Sequence, residues 1–322
     1  MLMPLLAVLA GFALLMWSAD KFVDGAAATA KHLGVSTLLI GIVVVGFGTS
    51  APEMVVSAFA ALDGKPALAL GNAYGSNIIN ITLILGLSAI FATLAVHSSI
   101  VRKELPILLG VTLLAGWQLW DGEISRADAI VLLVVLFAIM GWMVYSAKHS
   151  KQDSLGDEMS DEMADNSLTL KAAIIWLVIG LLLLMASSKM LVWGAVSIAQ
   201  GLGVSELIIG LTIVAFGTSL PELAASIAAA RKNEADLAIG NVVGSNLFNT
   251  LAVVGIAGVI APMQVGSEVL SRDWAVMFAI TVGLFIMAYG LRKPGHLTRW
   301  EGILLLSAYL AYTGWLIYTV VV

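Results

Sequence analysis

Residues 46–53 read GFGTSAPE and residues 215–222 read AFGTSLPE, and both lie inside long apolar stretches where Gly, Thr, Ser, Pro and Glu do not ordinarily collect. Each copy holds one carboxylate, Glu53 or Glu222, with two hydroxyls just before it. Pro52 has no amide hydrogen, so in a helix the carbonyl of Gly48, four residues back, loses its partner. Gly46 and Gly48 loosen the same turn. An unpaired carbonyl in hydrocarbon costs several kcal/mol unless protein, water or an ion satisfies it. At helical spacing Thr49, Ser50 and Ser57 share a face with Glu53, while Thr218, Ser219 and Ser226 share one with Glu222. The two stretches therefore predict a buried, oxygen-lined cation site in interrupted helices.

The surroundings of these stretches set the class. The chain has 322 residues, 60% of them hydrophobic and 11% charged, with a mean hydropathy of +1.00. That is too apolar for a soluble protein. The apolar runs reach the roughly 20 residues that a membrane-crossing helix needs, and they lack the alternation of a barrel strand. The first run, Met1–Ala19, has no basic residue ahead of it and reads as a first transmembrane helix rather than a signal peptide. The formal charge of −5 comes mostly from one acidic loop, and with no polybasic footprint no nucleic-acid partner is expected. The chain has no cysteine, which excludes disulfides and thiolate ligands. No HExxH, GxSxG or nucleotide-binding loop occurs in any span, so an enzyme and a resident cofactor are not expected.

Ten helices are predicted, at about 1–20, 37–62, 67–92, 105–120, 128–146, 170–189, 206–230, 236–260, 272–291 and 299–321. Short polar connections separate them, the first holding Lys21, Asp24 and Lys31. Residues 147–169 form the single long hydrophilic segment and divide the chain into halves 1–146 and 170–322. This acidic linker lacks the ligand order of an EF-hand, so it reads as a solvated connection.

Sliding the chain by 169 residues superposes the halves without a gap across the motif helices. Gly34-Val35-Ser36 falls on Gly203-Val204-Ser205, Glu53 on Glu222, Gly71-Asn72 on Gly240-Asn241, and Asn80 on Asn249. This is internal homology. Connections after the odd-numbered helices hold 12 of the 16 Lys and Arg residues and the others hold 4, which places both termini outside and residues 147–169 in the cytoplasm. Five spans per half give the halves opposite orientation. The fold class is an all-α polytopic membrane protein of ten transmembrane helices in two inverted-topology five-helix repeats, a plan typical of secondary transporters with a midplane site.

A second pair of motifs, GNAYGSNIIN at 71–80 and GNVVGSNLFN at 240–249, adds polar residues to the third and eighth helices. Gly71 and Gly75, and Gly240 and Gly244, are spaced to permit close helix contact. Ser76 and Asn80, like Ser245 and Asn249, fall on one face and are assigned to the site. Asn72, Asn77, Asn241 and Asn246 fit either ligation or inter-helix hydrogen bonding. Carboxylates, hydroxyls, amides and carbonyls without Cys or His describe a hard-cation site, suited to Ca²⁺ or Na⁺. Two glutamates neutralise one Ca²⁺; when it leaves, Na⁺ ions or protons must replace it.

At these residues the chain resembles the sodium/calcium exchanger family of the cation/calcium antiporter superfamily, over essentially its whole length and through GTSAPE with GSNIIN and GTSLPE with GSNLFN. The resemblance implies that the backbone carbonyls of Gly46 and Ala215 bind Na⁺ together with Thr49, Ser50, Thr218, Ser219, Ser76 and Ser245. It implies further that Glu53 and Glu222 are central to Ca²⁺ and Na⁺, with Asn80 beside them. Some members carry Asp where this chain has Asn249, notably potassium-dependent exchangers, so Asn here argues against potassium coupling. The large calcium-sensing domains of the animal exchangers have no counterpart in the short linker.

The expected activity is Ca²⁺/Na⁺ antiport by alternating access across the plasma (bacterial inner) membrane, with the lipid bilayer as surroundings and no obligate protein partner. H⁺/Ca²⁺ exchange at the same glutamates is the alternative, and a passive cation channel is the alternative of a different class.

Overall fold

The computed structural model describes residues 2–64, 66–96, 103–149, 168–202, 215–289 and 295–321. Helix α1 spans Leu2–Leu33, well past the end expected at about Asp20 and through the polar connection expected after it. Asp20, Lys21, Asp24 and Lys31 are helical because nothing there breaks a helix: Ala26, Ala27 and Ala28 are strong formers and no proline intervenes. The stop comes at Gly34, with φ of +63°. Its amide donates to Lys31 O at 3.2 Å and Val35 donates to Ala30 O at 3.1 Å, a Schellman ending that uses glycine's freedom at positive φ. The sixth predicted helix is likewise longer than expected, so Lys189 sits within it.

The second predicted helix is built in pieces. Ser36 caps α2 (Thr37–Ile40) by accepting the Leu39 amide at 3.2 Å. A π turn, Gly41–Val45, leads to α3 (Gly46–Thr49), and α4 (Ala51–Leu62) leaves at a bend of 42°. The hinge is Ser50 at φ −82°, ψ 0°, in the sparsely populated bridge region, with Pro52 in the first turn beyond it. Next come α5 (Pro66–Ile79), a π turn at Asn80–Ile84 and α6 (Leu85–Phe91). The first half closes with strand β1 (Leu94–Ala95), α7 (Leu105–Gln118), β2 (Glu123–Ile124) and α8 (Arg126–His149).

After α9 (Leu170–Gly201) the second half repeats these bounds at an offset of 169: α10 (Ala215–Thr218), α11 (Leu220–Arg231), α12 (Ala235–Phe248), a π turn at Asn249–Val253, α13 (Val254–Ile260) and β3 (Met263–Gln264). Ser219, the counterpart of Ser50, has φ −90° and ψ 7°. A π turn at Val269–Trp274, α14 (Ala275–Tyr289), β4 (His296–Leu297) and α15 (Arg299–Val321) complete the chain. The start of the seventh predicted helix and most of the acidic linker lie outside the described residues.

Each half reaches into the other. β1 pairs with β4, and β2 with β3, so the strand after the third helix of one half clasps the strand before the last helix of its partner half. α1 and α9 pack antiparallel. Gly11 meets Leu191 and Gly194 meets Pro4 and Val8, while Gly25 meets Ala173 and Leu177 and Gly180 meets Phe22. A Cβ at Gly25 would lie 2.5 Å from Leu177 N, so the backbones touch only because these residues lack side chains.

Among the described residues six helices are long and apolar enough to cross a membrane, and the bent pair 37–62 makes a seventh. The helix exteriors fit a lipid solvent: on α8, Ile130, Val134 and Phe137 are exposed while Ala129 and Leu132 are buried. The largest apolar cluster lies under α5, α12 and the helices flanking them; a second joins α1 and α9 to α11.

Candidate cation site

The breaks at Ser50 and Ser219 face one another. The Ser50 hydroxyl donates to Glu222 Oε1 at 3.4 Å, and Thr49 Oγ1 lies 3.1 Å from Asn241 Oδ1 and 3.4 Å from Ser245 Oγ. One repeat's hydroxyls thus meet the other's carboxylate, amide and serine. Glu53 and Glu222 are each 1% exposed. Among the described residues they are the fully buried charged side chains, with no buried Lys or Arg to balance them.

What these side chains lack is donors. Both carboxylate oxygens of Glu53, Glu222 Oε2, Asn80 Oδ1, Asn249 Oδ1 and Ser219 Oγ are buried without a hydrogen-bond partner. Each unsatisfied buried acceptor costs about 1–3 kcal/mol, and more where it is charged. Asn77, Ser88, Glu104 and Gln118 carry the other four such atoms among the described residues, but six of the ten fall on the residues assigned to the site from the sequence. A desolvated cation is the species that satisfies several inward-facing oxygens at once. Among the described residues no three His, Cys, Asp or Glu side chains cluster, so the donor set is two carboxylates supplemented by neutral oxygens.

Ser76 and Ser245 are buried on α5 and α12, and Asn80 and Asn249 open the two π turns. The sequence pattern does not reveal those turns. A π turn withdraws a carbonyl from the regular ladder and is frequent at functional sites, and the placement at both asparagines is duplicated by the repeat. Gly46 O accepts the Ser50 amide at 3.1 Å and keeps a lone pair free. In the second copy the Ser219 amide bonds Phe216 O at 3.2 Å. Thr218, on α10, is half-buried.

The four asparagines with two readings are tied across helices. Asn241 Nδ2 donates to Ser226 Oγ at 2.9 Å and to Glu222 O at 3.2 Å, which anchors the start of α11. Asn72 donates to Ser57 at 3.2 Å, the equivalent bond of the first half. Asn77 donates to Thr250 Oγ1 at 2.8 Å, and Asn246 Oδ1 accepts from Asn80 at 3.0 Å. The latter bond uses the Asn80 amide nitrogen and leaves its oxygen free. Thr250 was missed from the sequence because its counterpart in the repeat is Ile81.

Glycines hold the helices at this distance. A Cβ on Gly244 would lie 2.4 Å from Ile42 O, and one on Gly240 would lie 2.8 Å from Leu38 O. Gly46 meets Gly244 and Ser245 across the same contact. Gly71 and Gly75 have no such neighbour among the described residues; the segment homologous to Leu38–Ile42 lies outside them.

With this geometry in place, comparison with known proteins adds a lineage. The family model for the sodium/calcium exchanger protein matches residues 3–145 and 172–318. CaxA of Alkalimonas amylolytica, named as an antiporter, is 46% identical over 314 residues, covering 97% of this chain and 98% of its own. The inner membrane protein YrbG of Escherichia coli K12 is 38% identical, with 97% and 96% covered. A structure of the sodium-calcium exchanger NCX_Mj, soaked with zero Na⁺ and Ca²⁺, superposes with a TM-score of 0.84 at 32% identity, covering 98% of this chain and 99% of that one.

Proposed function

The chain belongs to the sodium/calcium exchanger family, and from that premise we propose that it is an antiporter exchanging Ca²⁺ for Na⁺ at a site formed by the two GTSxPE motifs. The observation that carries this reading is the set of donor-less oxygens on Glu53, Glu222, Asn80, Asn249 and Ser219. The two carboxylates match the charge of one Ca²⁺. Their oxygens, with those of Thr49, Ser50, Thr218, Ser76 and Ser245 and the carbonyls of Gly46 and Ala215, give enough hard ligands for Ca²⁺ or for several Na⁺. Because an empty site leaves two carboxylates unbalanced in a low-dielectric interior, one ion species leaves as the other enters. Competition for one set of oxygens is what makes the cycle an exchange.

Alternating access follows from the inverted repeat. Two homologous units of opposite orientation can exchange conformations, so a site between them opens to each side in turn. The halves are packed differently here, as an alternating carrier requires. Asn241 is buried, whereas its counterpart Asn72 is partly exposed and Gly71 is exposed. We place the ten helices with both termini outside and the acidic linker in the cytoplasm, so the closed side is the cytoplasmic one.

Flux into proteoliposomes under single imposed gradients tests the proposal. Ca²⁺ uptake is expected to follow an outward Na⁺ gradient and to stop when that gradient is dissipated. Uptake that follows a pH gradient without Na⁺ assigns the same glutamates to H⁺ exchange. Passive Ca²⁺ flow with no counter-ion replaces the carrier with a channel.

A further inference from the structure

The turn that joins α7 to α8 closes on a cavity of about 180 Å³ lined by Trp117, Gln118, Trp120, Asp121 and Asp128. The chain reverses tightly there because Gly122 takes φ of +79° and its amide donates to Leu119 O at 3.1 Å. Strand β2 then pairs with β3 and fixes the turn. Ser125 and Asp128 form a capping box at the start of α8: the Ser125 amide and hydroxyl donate to Asp128 Oδ2 at 3.0 and 2.6 Å, and the Asp128 amide donates to Ser125 Oγ at 3.2 Å.

One atom in this arrangement has no structural use. Gln118 is 4% exposed, and its Nε2 donates to the Asp128 carbonyl at 3.1 Å. That bond fixes the amide's orientation, because a carbonyl only accepts. Oε1, the other pole, is left for the cavity that Gln118 lines, and it is buried without a donor. The cap does not account for this glutamine. Thr298 and Glu301 make the same cap at the start of α15, with Thr298 N and Oγ1 donating to Glu301 Oε2 at 2.7 and 2.8 Å, yet Gln118 is the only buried glutamine among the described residues.

Charge and the aromatic rim define what the cavity takes. From Trp117 to Asp128 the chain has three carboxylates, Asp121, Glu123 and Asp128, against one basic side chain, Arg126. Glu123 is engaged by Gln264 Nε2 at 2.9 Å, and Asp121 Oδ1 accepts the Glu123 amide at 3.2 Å. The balance favours a cation. A metal ion is the poorer fit, because only two carboxylates line the cavity and among the described residues no three His, Cys, Asp or Glu side chains cluster. A primary ammonium has three N–H donors for the three acceptor side chains Gln118, Asp121 and Asp128, and indole faces attract it as well. Trp117 and Trp120 are 72% and 81% exposed. Tryptophans at the end of a membrane helix sit at the level of the lipid headgroups.

We infer that this cavity binds the primary ammonium of a lipid headgroup of the ethanolamine kind. The orientation proposed above places it in the outer leaflet, and only that detail rests on the earlier reading. A choline headgroup has no N–H for Gln118 Oε1, and a serine headgroup brings a carboxylate against the two aspartates. Just beyond Asp128, Ala129 packs on Gly255 and Gly258 of α13. A headgroup held here therefore steadies α8 where it supports the helix that follows the π turn at Asn249.

Native mass spectrometry tests the assignment. The full chain, purified in detergent, is equilibrated with micelles containing phosphatidylethanolamine, phosphatidylcholine or phosphatidylglycerol of the same acyl chains, and the retained lipid is counted. One phosphatidylethanolamine is expected to stay bound, at several-fold the occupancy of either other lipid. Gln118→Met removes the free acceptor at similar volume and should lower that occupancy several-fold. Asp121→Asn, at an exposed position that folding does not depend on, should do the same, while Gln118→Glu keeps an acceptor and should retain the lipid. Equal occupancy by phosphatidylethanolamine and phosphatidylcholine overturns the ammonium, and an occupancy unchanged in either folded variant overturns the cavity. Ethanolamine that displaces the lipid at equal concentration assigns the cavity to a soluble ammonium and overturns the headgroup. Micelles have no sidedness, so the orientation is read separately, by labelling Ala127→Cys in the otherwise cysteine-free chain with a membrane-impermeant maleimide. A failure of Ca²⁺ exchange in flux assays leaves the binding result as it stands.

Discussion

The hydroxyl of Ser50 donates to Glu222 Oε1 at 3.4 Å, so the residue at which one helix breaks is bonded to the acid that follows the break in the other. The carboxylates lie 169 residues apart in sequence and are brought together by this cross-repeat bonding. Among the described residues no buried Lys or Arg offers either glutamate a counter-charge, which makes their balance depend on what enters from outside.

Glu53→Gln and Glu222→Gln are each expected to reduce Ca²⁺ flux to the level of protein-free vesicles. Either change removes half the charge facing Ca²⁺ and turns one acceptor into a donor aimed at a cation. Because no partner is left stranded, folding should survive. Thermal unfolding in detergent without Ca²⁺ should stay within a few degrees of the parent, with the Ca²⁺-dependent stabilisation gone. Normal Ca²⁺ flux in either variant would remove the assignment.

Asn249→Asp places a third carboxylate at a position whose Oδ1 already lacks a donor. Charge moved per Ca²⁺ is expected to change, because a more negative site holds more positive charge. Recordings of transport current on supported membranes, with Na⁺ and K⁺ varied in turn, check this. An unchanged ion dependence would exclude Asn249 from the site.

Much of this arrangement is legible in the sequence because the repeat is written there twice. The breaks at Pro52 and Pro221, and the offset that relates every core element, need no coordinates. Other features stay hidden for physical reasons. The extension of α1 through Asp20–Lys31 opposes the rule that charges end a membrane helix, and alanine content with long side chains reaching the interface outweighs it. The π turns at Asn80 and Asn249 depend on how the facing helices pack and leave no local pattern. The Asn77–Thr250 bond uses a residue that the repeat does not duplicate, so it is invisible to an argument from internal symmetry.

Gly244→Ala should be among the most damaging single substitutions outside the site. Its Cβ would stand 2.4 Å from the Ile42 carbonyl, which is backbone and cannot rotate away. Overpacking of this kind costs about 1–3 kcal/mol and would part the two repeats where Thr49 meets Asn241 and Ser245. Gly141→Ala, on α8 with open space around it, is the control and should match or exceed the parent by a few tenths of a kcal/mol to about 1 kcal/mol, as alanine favours the helix. Melting temperatures of the two variants in the same detergent decide the comparison.

Glu104, in the connection just before α7, supplies a prediction about pH. Burial raises its carboxyl from the ordinary 4.5 to about 7, with the negative charge of Asp236 adding to the rise and Lys103 opposing it. Below about 4.5 the acid is protonated in both the folded and unfolded chain and has no influence on stability through ionisation. Between 4.5 and 7 the folded chain keeps a proton that the unfolded chain has released, so this contribution to stability falls as pH rises through that window. Glu104→Gln imitates the protonated side chain at every pH. The variant should therefore melt close to the parent at pH 4.5 and progressively above it up to pH 7, with the gap constant beyond. Melting curves recorded at half-unit intervals test the slope, and a gap that does not widen between those limits would show that Glu104 is ionised in the folded protein throughout.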